Sequence, residues 1–200
     1  MLTFAAAVFF LIATPGPGVL STAGVGSAFG ARAGARYVLG LFIGTNIVSL
    51  GVISGVAAVV LAWPPLRVAL FAASIAYLLY LALRIATAGT KVAFIPATRE
   101  PGIVDGLALQ AINPKAYAVN TTLFSGFAFL PGAPLAEVAI KLLILNAIWL
   151  PLHFAWLGAG IGLRRLDLAP ATQRAINIGM AASMLLVVGL ALGNLAGLFG

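Results

Sequence analysis

Thr14-Pro15-Gly16-Pro17-Gly18 interrupts the first long apolar run of the chain, and Asn113-Pro114-Lys115 interrupts another roughly a hundred residues later. Proline lacks a backbone N–H and clashes with the preceding turn, so each stretch breaks or kinks whatever helix contains it. In hydrocarbon a freed backbone group is tolerated only where protein or a water-filled cavity satisfies it. Interrupted helices at corresponding positions of two halves point to a transporter's substrate site. One proline motif reads as a kink in a packed helix; two at matched depth read as a site.

The composition sets the class. Of 200 residues, 62% are hydrophobic and 8% charged, with mean hydropathy +1.15, whereas a soluble domain carries about a quarter charged residues. The expected fold is an all-α integral membrane protein, a single transmembrane domain over 1–200. Six apolar segments, at roughly 2–26, 38–62, 67–87, 103–130, 135–162 and 172–198, reach the ~20 residues that a span requires. The first, fourth and fifth are long, which suits tilted or broken helices. Small residues four apart (Gly40/Gly44, Gly51/Gly55, Gly189/Gly193) let helices approach closely, first within one subunit and secondarily between copies in a homo-oligomer.

Charge orients the chain. The net charge of +7 comes from 11 Lys and Arg against 4 Asp and Glu. These basic residues lie in short connections, where they set topology rather than bind nucleic acid. Arg32 and Arg36 fall in the first connection, Arg84, Lys91 and Arg99 at the third, and Arg164 and Arg165 at the fifth, with Arg174 just beyond. The second and fourth have only Arg67 and Lys141, at helix starts. Odd loops are therefore expected to be cytoplasmic, with both termini outside. No Lys or Arg precedes the first apolar stretch, which favours a retained helix over a cleaved signal. The absence of cysteine excludes disulfides, thiolate metal sites and cysteine nucleophiles.

Weak internal similarity suggests two halves, about 1–90 and 103–200, joined by a cytoplasmic linker at about 88–102. Ala72-Ala73-Ser74 with Leu81-Ala82-Leu83 has a counterpart in Ala181-Ala182-Ser183 with Leu190-Ala191-Leu192; Asn46 has one in Asn146, and Thr14-Pro15 in Asn113-Pro114. Three helices per half is an odd number, so the second half is expected to be inverted, with helices 1 and 4 broken at the prolines.

Each break can start a half-helix. Thr14 and Asn113 are good N-cap residues, and Pro15 and Pro114 would follow at the first helical position, where a missing N–H costs nothing. The partly positive N-terminus then faces the membrane interior and can receive a carboxylate. Pro17 removes a further donor, leaving the Thr14 and Gly16 amides and the Thr14 hydroxyl, while Gly16 and Gly18 serve close backbone approach. The first break is therefore expected to shape the cavity and the second to hold substrate. Lys115 is costly inside lipid and needs partners or water; it can bind a carboxylate or change charge. Asn46 and Asn146 either line the pathway or join helices. Asp105, Lys115 and His153 are the candidates for proton coupling. Glu137 and Lys141 read as an interfacial i,i+4 pair.

Three stretches resemble the LysE/RhtB family of bacterial amino-acid exporters: Thr14-Pro15-Gly16-Pro17 with Gly30-Ala31-Arg32-Ala33-Gly34, Tyr77-Leu78-Leu79-Tyr80-Leu81, and Asp105-Gly106 followed by Asn113-Pro114-Lys115-Ala116. Gly18 stands where many relatives have a polar residue, often Asn. The resemblance implies a secondary exporter of amino acids or related small metabolites in the bacterial cytoplasmic (inner) membrane, driven by proton exchange and requiring no cofactor. A metal-ion exporter is the alternative, but hard cations want carboxylates, and the spans hold almost none. An intramembrane hydrolase pairing Ser125 with His153 is a further alternative without a supporting motif.

Overall fold

A computed structural model describes residues 1–14, 16–55, 62–87, 100–165, 169–172, 174–179, 181–182 and 185. Among them are seven helices: α1 (Leu2–Ala13), α2 (Pro17–Phe29), α3 (Ala31–Ile53), α4 (Pro64–Ala86), α5 (Ile103–Ile112), α6 (Pro114–Gly126) and α7 (Pro134–Arg165). Further helical turns lie between 170 and 182, and no strand occurs among the described residues. Three helices are long and apolar enough to cross a membrane, at Ala31–Ile53, Pro64–Leu83 and Pro134–Leu163. The pair α1 and α2, bent by 52° at the first proline break, makes a fourth if counted as one span. Pro15, residues 88–99 of the expected linker, and most of the sixth segment, including Gly189 and Gly193, lie outside the described residues.

Proline sets several starts. Pro17, Pro64 and Pro114 each fall in the first turn of a helix, where no ladder bond is lost. Pro151 lies within α7 instead and removes one rung there. Gly30, at φ 84°, makes the whole connection between α2 and α3. The expected first loop is therefore one residue long. Arg32 and Arg36 stand exposed on the opening turns of α3, because that left-handed glycine turns the chain without a longer linker.

Packing crosses between the halves. α2 packs chiefly on α7, and α3 on α5. Glycine permits both approaches. A Cβ on Gly26 would meet the Leu157 carbonyl oxygen at 2.9 Å, and one on Gly106 would meet the backbone N of Leu41 at 2.8 Å. Of the small-residue pairs, Gly40 and Gly44 face α5, whereas Gly51 and Gly55 have nothing within 4 Å. The buried core joins Phe4 and Val8 of α1, Tyr37 and Leu41 of α3, Leu109, Leu123, Leu145 and Trp149.

Glu137 and Lys141 form the expected i,i+4 ion pair, at 2.8 Å, and both are buried within the protein. Glu137 also accepts from the N–H groups of Phe129 and Leu130. Lys141 donates to Phe124 O at 3.2 Å and lies over the rings of Phe4 and Phe129. The turn after α6 presents free backbone groups that fold the pair inward.

Candidate functional site

The two breaks meet. A cavity of about 60 Å³ is lined by Thr14, Gly16, Gly18 and Val19 from the first, and by Gln110, Asn113, Lys115 and Asn120 from the second and its flanks. Thr45 of α3 and Trp149 and His153 of α7 complete its polar and aromatic wall; Leu11, Ile12, Val119 and Leu145 supply apolar surface. Pro17 and Pro114 shape the backbone but are not part of the lining.

The first break is built differently from its sequence reading. Thr14 does not cap α2. It ends α1, its N–H bonded to Phe10 O at 3.1 Å and its hydroxyl to the same oxygen at 2.6 Å. Gly16 is the N-cap of α2 and Pro17 its first residue. With extended Gly16 (φ −163°) as the N-cap, Pro17 rather than Pro15 takes the first helical position, which needs no N–H. Gly18 and Val19 are consequently the second and third helical residues, ahead of the first ladder bond among the described residues, from Leu20 N–H to Gly16 O (3.1 Å). The Thr14 amide is already bonded, so the donors of this break are the Gly16 amide ahead of Pro17 and those of Gly18 and Val19 in the first turn of α2.

The second break follows its sequence reading locally. Asn113 caps α6, its side-chain oxygen accepting from Lys115 N–H at 3.1 Å, with Pro114 in the first turn. The Ala116 N–H is bonded to Asn113 O at 3.0 Å. This helix start therefore offers a side chain, not free amides. Lys115 reaches back across the cavity, and its ammonium donates to Thr14 O at 2.5 Å. That carbonyl belongs to the partly negative C-terminal end of α1, a favourable place for a cation. Gly16 makes room: a Cβ there would stand 2.8 Å from Lys115 Cδ and 3.0 Å from Nζ.

Neutral polar groups line the opposite wall. Gln110 Nε2 donates to Thr45 Oγ1 at 2.5 Å, and Asn113 Nδ2 to Gln110 Oε1 at 3.3 Å. Ser49 donates to Asn120 Oδ1 at 2.6 Å, and Asn120 Nδ2 to Ala116 O at 2.8 Å. Each buried amide is thereby oriented. His153 is stacked on Trp149 (centroids 3.5 Å apart, planes 12° apart), with Nδ1 2.9 Å from Trp149 O. A carbonyl only accepts, so Nδ1 carries the hydrogen, leaving Nε2 as the acceptor of the neutral ring. Nε2 faces Gly18, 3.5 Å from where a Cβ would be.

Other expected site residues stand elsewhere. Asn46 and Asn146 hydrogen-bond each other, Nδ2 to Oδ1, at 3.1 and 2.9 Å, each one residue from a lining position. Asp105 is buried at the start of α5, its carboxylate accepting from Gly102 N–H at 2.8 Å. Ser125 is exposed, its hydroxyl on Thr121 O at 2.6 Å, and does not join His153 in the cavity. Among the described residues no three His, Cys, Asp or Glu side chains gather as metal ligands. Thr45 and the Gly16–Lys115 contact had no sequence signal, because each depends on which helices become neighbours.

Three helices long and apolar enough to cross a membrane, with the bent pair α1 and α2 as a fourth, mark a multi-pass α-helical membrane protein. The chain belongs to the LysE type translocator family, whose family model matches residues 9–195. It is thus a membrane translocator. Comparison with curated proteins and with solved structures gave no match.

Proposed function

We propose that the chain is a secondary active exporter of amino acids or related small polar metabolites, coupled to proton antiport across the bacterial cytoplasmic membrane. In this reading it has six spans in two inverted three-helix repeats, with both termini outside. The observation that carries it is Lys115, whose ammonium bridges the two breaks within one cavity. The break offers both poles of a helix to the same space: the carbonyl end of α1 and the amide end of α2. A zwitterion matches that arrangement. Its carboxylate pairs with Lys115 and the Gly18 and Val19 amides, and its ammonium is received by the amide oxygens of the opposite wall. The crossed packing of α2 on α7 and of α3 on α5 supports movement of the two broken spans against one another around the site.

Lys115 and His153 are the coupling groups proposed within the cavity, with Lys115 keeping its proton while substrate is bound and exchanging it only in the empty site. Asp105, engaged at a helix start outside it, is the weaker candidate. A metal-ion exporter gains no support, because the described lining holds no carboxylate. Efflux from cells expressing the protein, measured for a panel of amino acids with and without a proton gradient, tests the reading. Gradient-dependent efflux of at least one, crippled by Lys115→Ala at matched membrane expression, is the expected result. Gradient-independent equilibration would mean a passive channel, and undiminished efflux by the variant would remove Lys115 from the site.

A further inference from the structure

We propose that Lys115 is a resident cation that sets the charge selectivity of the cavity, admitting small amino acids with uncharged side chains and rejecting those with a cationic one. The inference rests on the exporter reading above and narrows its substrate class. Three observations carry it.

The best cation position in the cavity is already taken. The ammonium of Lys115 lies 2.5 Å from Thr14 O, at the carbonyl end of α1, where a substrate's second ammonium would find its strongest partner. The backbone is shaped around this arrangement, since the stem of Lys115 fills the space that a side chain at position 16 would need.

Nothing else in the described lining compensates a second positive charge. Its remaining polar side chains are Thr14, Thr45, Gln110, Asn113 and Asn120, with Trp149 and His153, and none is a carboxylate. The buried acids among the described residues lie outside the cavity and are engaged there: Glu137 is ion-paired with Lys141 at 2.8 Å, and Asp105 accepts from Gly102 N–H at 2.8 Å. A cationic side chain about 6 Å from Lys115 would be disfavoured by about a hundredfold at the effective dielectric of a partly wet site.

Size points the same way. A volume of about 60 Å³ has room for a few waters, each taking about 10–15 Å³ of it. It suits a short apolar side chain resting against Leu11, Ile12, Val119 or Leu145 better than a long one.

The test is exchange in proteoliposomes containing the full chain, comparing norvaline with its cationic isostere 2,4-diaminobutyrate. The wild type is expected to prefer norvaline by about a hundredfold. Lys115→Met, which keeps the stem but not the charge, should slow norvaline exchange and shrink the preference to about tenfold or less. Lys115→Arg should retain it. The ratio of the two substrates is the readout, because a general loss of stability would lower both rates together. Ligand-induced thermal shifts of the wild type give the same comparison without any variant: stabilisation by norvaline alone is expected. Equal exchange or equal stabilisation by both substrates would overturn the selectivity role while leaving an amino-acid exporter standing. So would an unchanged ratio in Lys115→Met. A wild-type protein that moves neither these nor any other amino acid would overturn the exporter reading itself, and this inference with it.

Discussion

Gly16→Ala isolates the contact between the two breaks. At φ −163° and ψ 179° Gly16 is extended, a conformation open to any residue, so the substitution introduces no backbone strain. Its effect is steric. The new methyl would stand 2.8 Å from Lys115 Cδ, 3.0 Å from Nζ and 3.4 Å from Cε, so the lysine stem must swing away. A flexible stem moves cheaply, but the bond from its ammonium to Thr14 O is lost. Hydrogen bonds to charged groups are worth about 1.5–3 kcal/mol, equivalent to about tenfold to a hundredfold in rate if the bridge organises the site. Stability should fall by only about 1 kcal/mol, the difference between alanine and glycine as an N-cap. The assay is amino-acid efflux at matched expression, with the thermal midpoint measured on the same preparation in detergent. A double-mutant cycle with Lys115→Met completes it: if Gly16 acts through Lys115, adding Gly16→Ala to that variant costs nothing more. Wild-type efflux by Gly16→Ala, or a full additional loss in the Lys115→Met background, would refute the reasoning.

Three further outcomes are expected. Replacing Asn46 or Asn146 by Ala should destabilise the chain similarly, with a coupling of about 0.6 to about 1.7 kcal/mol in a double-mutant cycle read by thermal unfolding; strict additivity would contradict the mutual pair. Gly106→Ala should damage folding severely, because its Cβ would enter the backbone of Tyr37 and Leu41. Gly51→Ala, facing open space within a helix, should be neutral or stabilising by about 0.5–1 kcal/mol; equal losses of membrane-inserted protein in the two variants would show that the close approach of α3 and α5 does not matter.

Much of the architecture was legible because lipid leaves few options for an apolar chain. Long runs without charge become helices, and a proline inside one has to be accommodated. Asn113 and Pro114 form the cap and first turn that their residue types suggest. The first break was harder. Thr14 is as good a terminator as an initiator, and two prolines competed for one helical position, which Pro17 takes behind an extended Gly16. Arg32 and Arg36 looked like loop residues because charge marks membrane edges, yet a helix can run beyond the hydrocarbon and carry them on its exposed first turns. The burial of Glu137 and Lys141 was hidden for another reason. Their partners are backbone groups of residues 124, 129 and 130, which side-chain spacing does not encode. The contents of the cavity wall were likewise invisible, since Thr45 meets Gln110 from 65 residues away.

The Asn46–Asn146 pair has an electrical consequence. Each amide gives a hydrogen to the other and takes one back, so their dipoles oppose and largely cancel, and Asn46 Nδ2 also engages Phe42 O. Each asparagine lies one residue along its helix from a lining position, Thr45 on α3 and Leu145 on α7. The pair therefore ties these two helices together beside the cavity while adding almost no net dipole to the field a charged cargo would meet there.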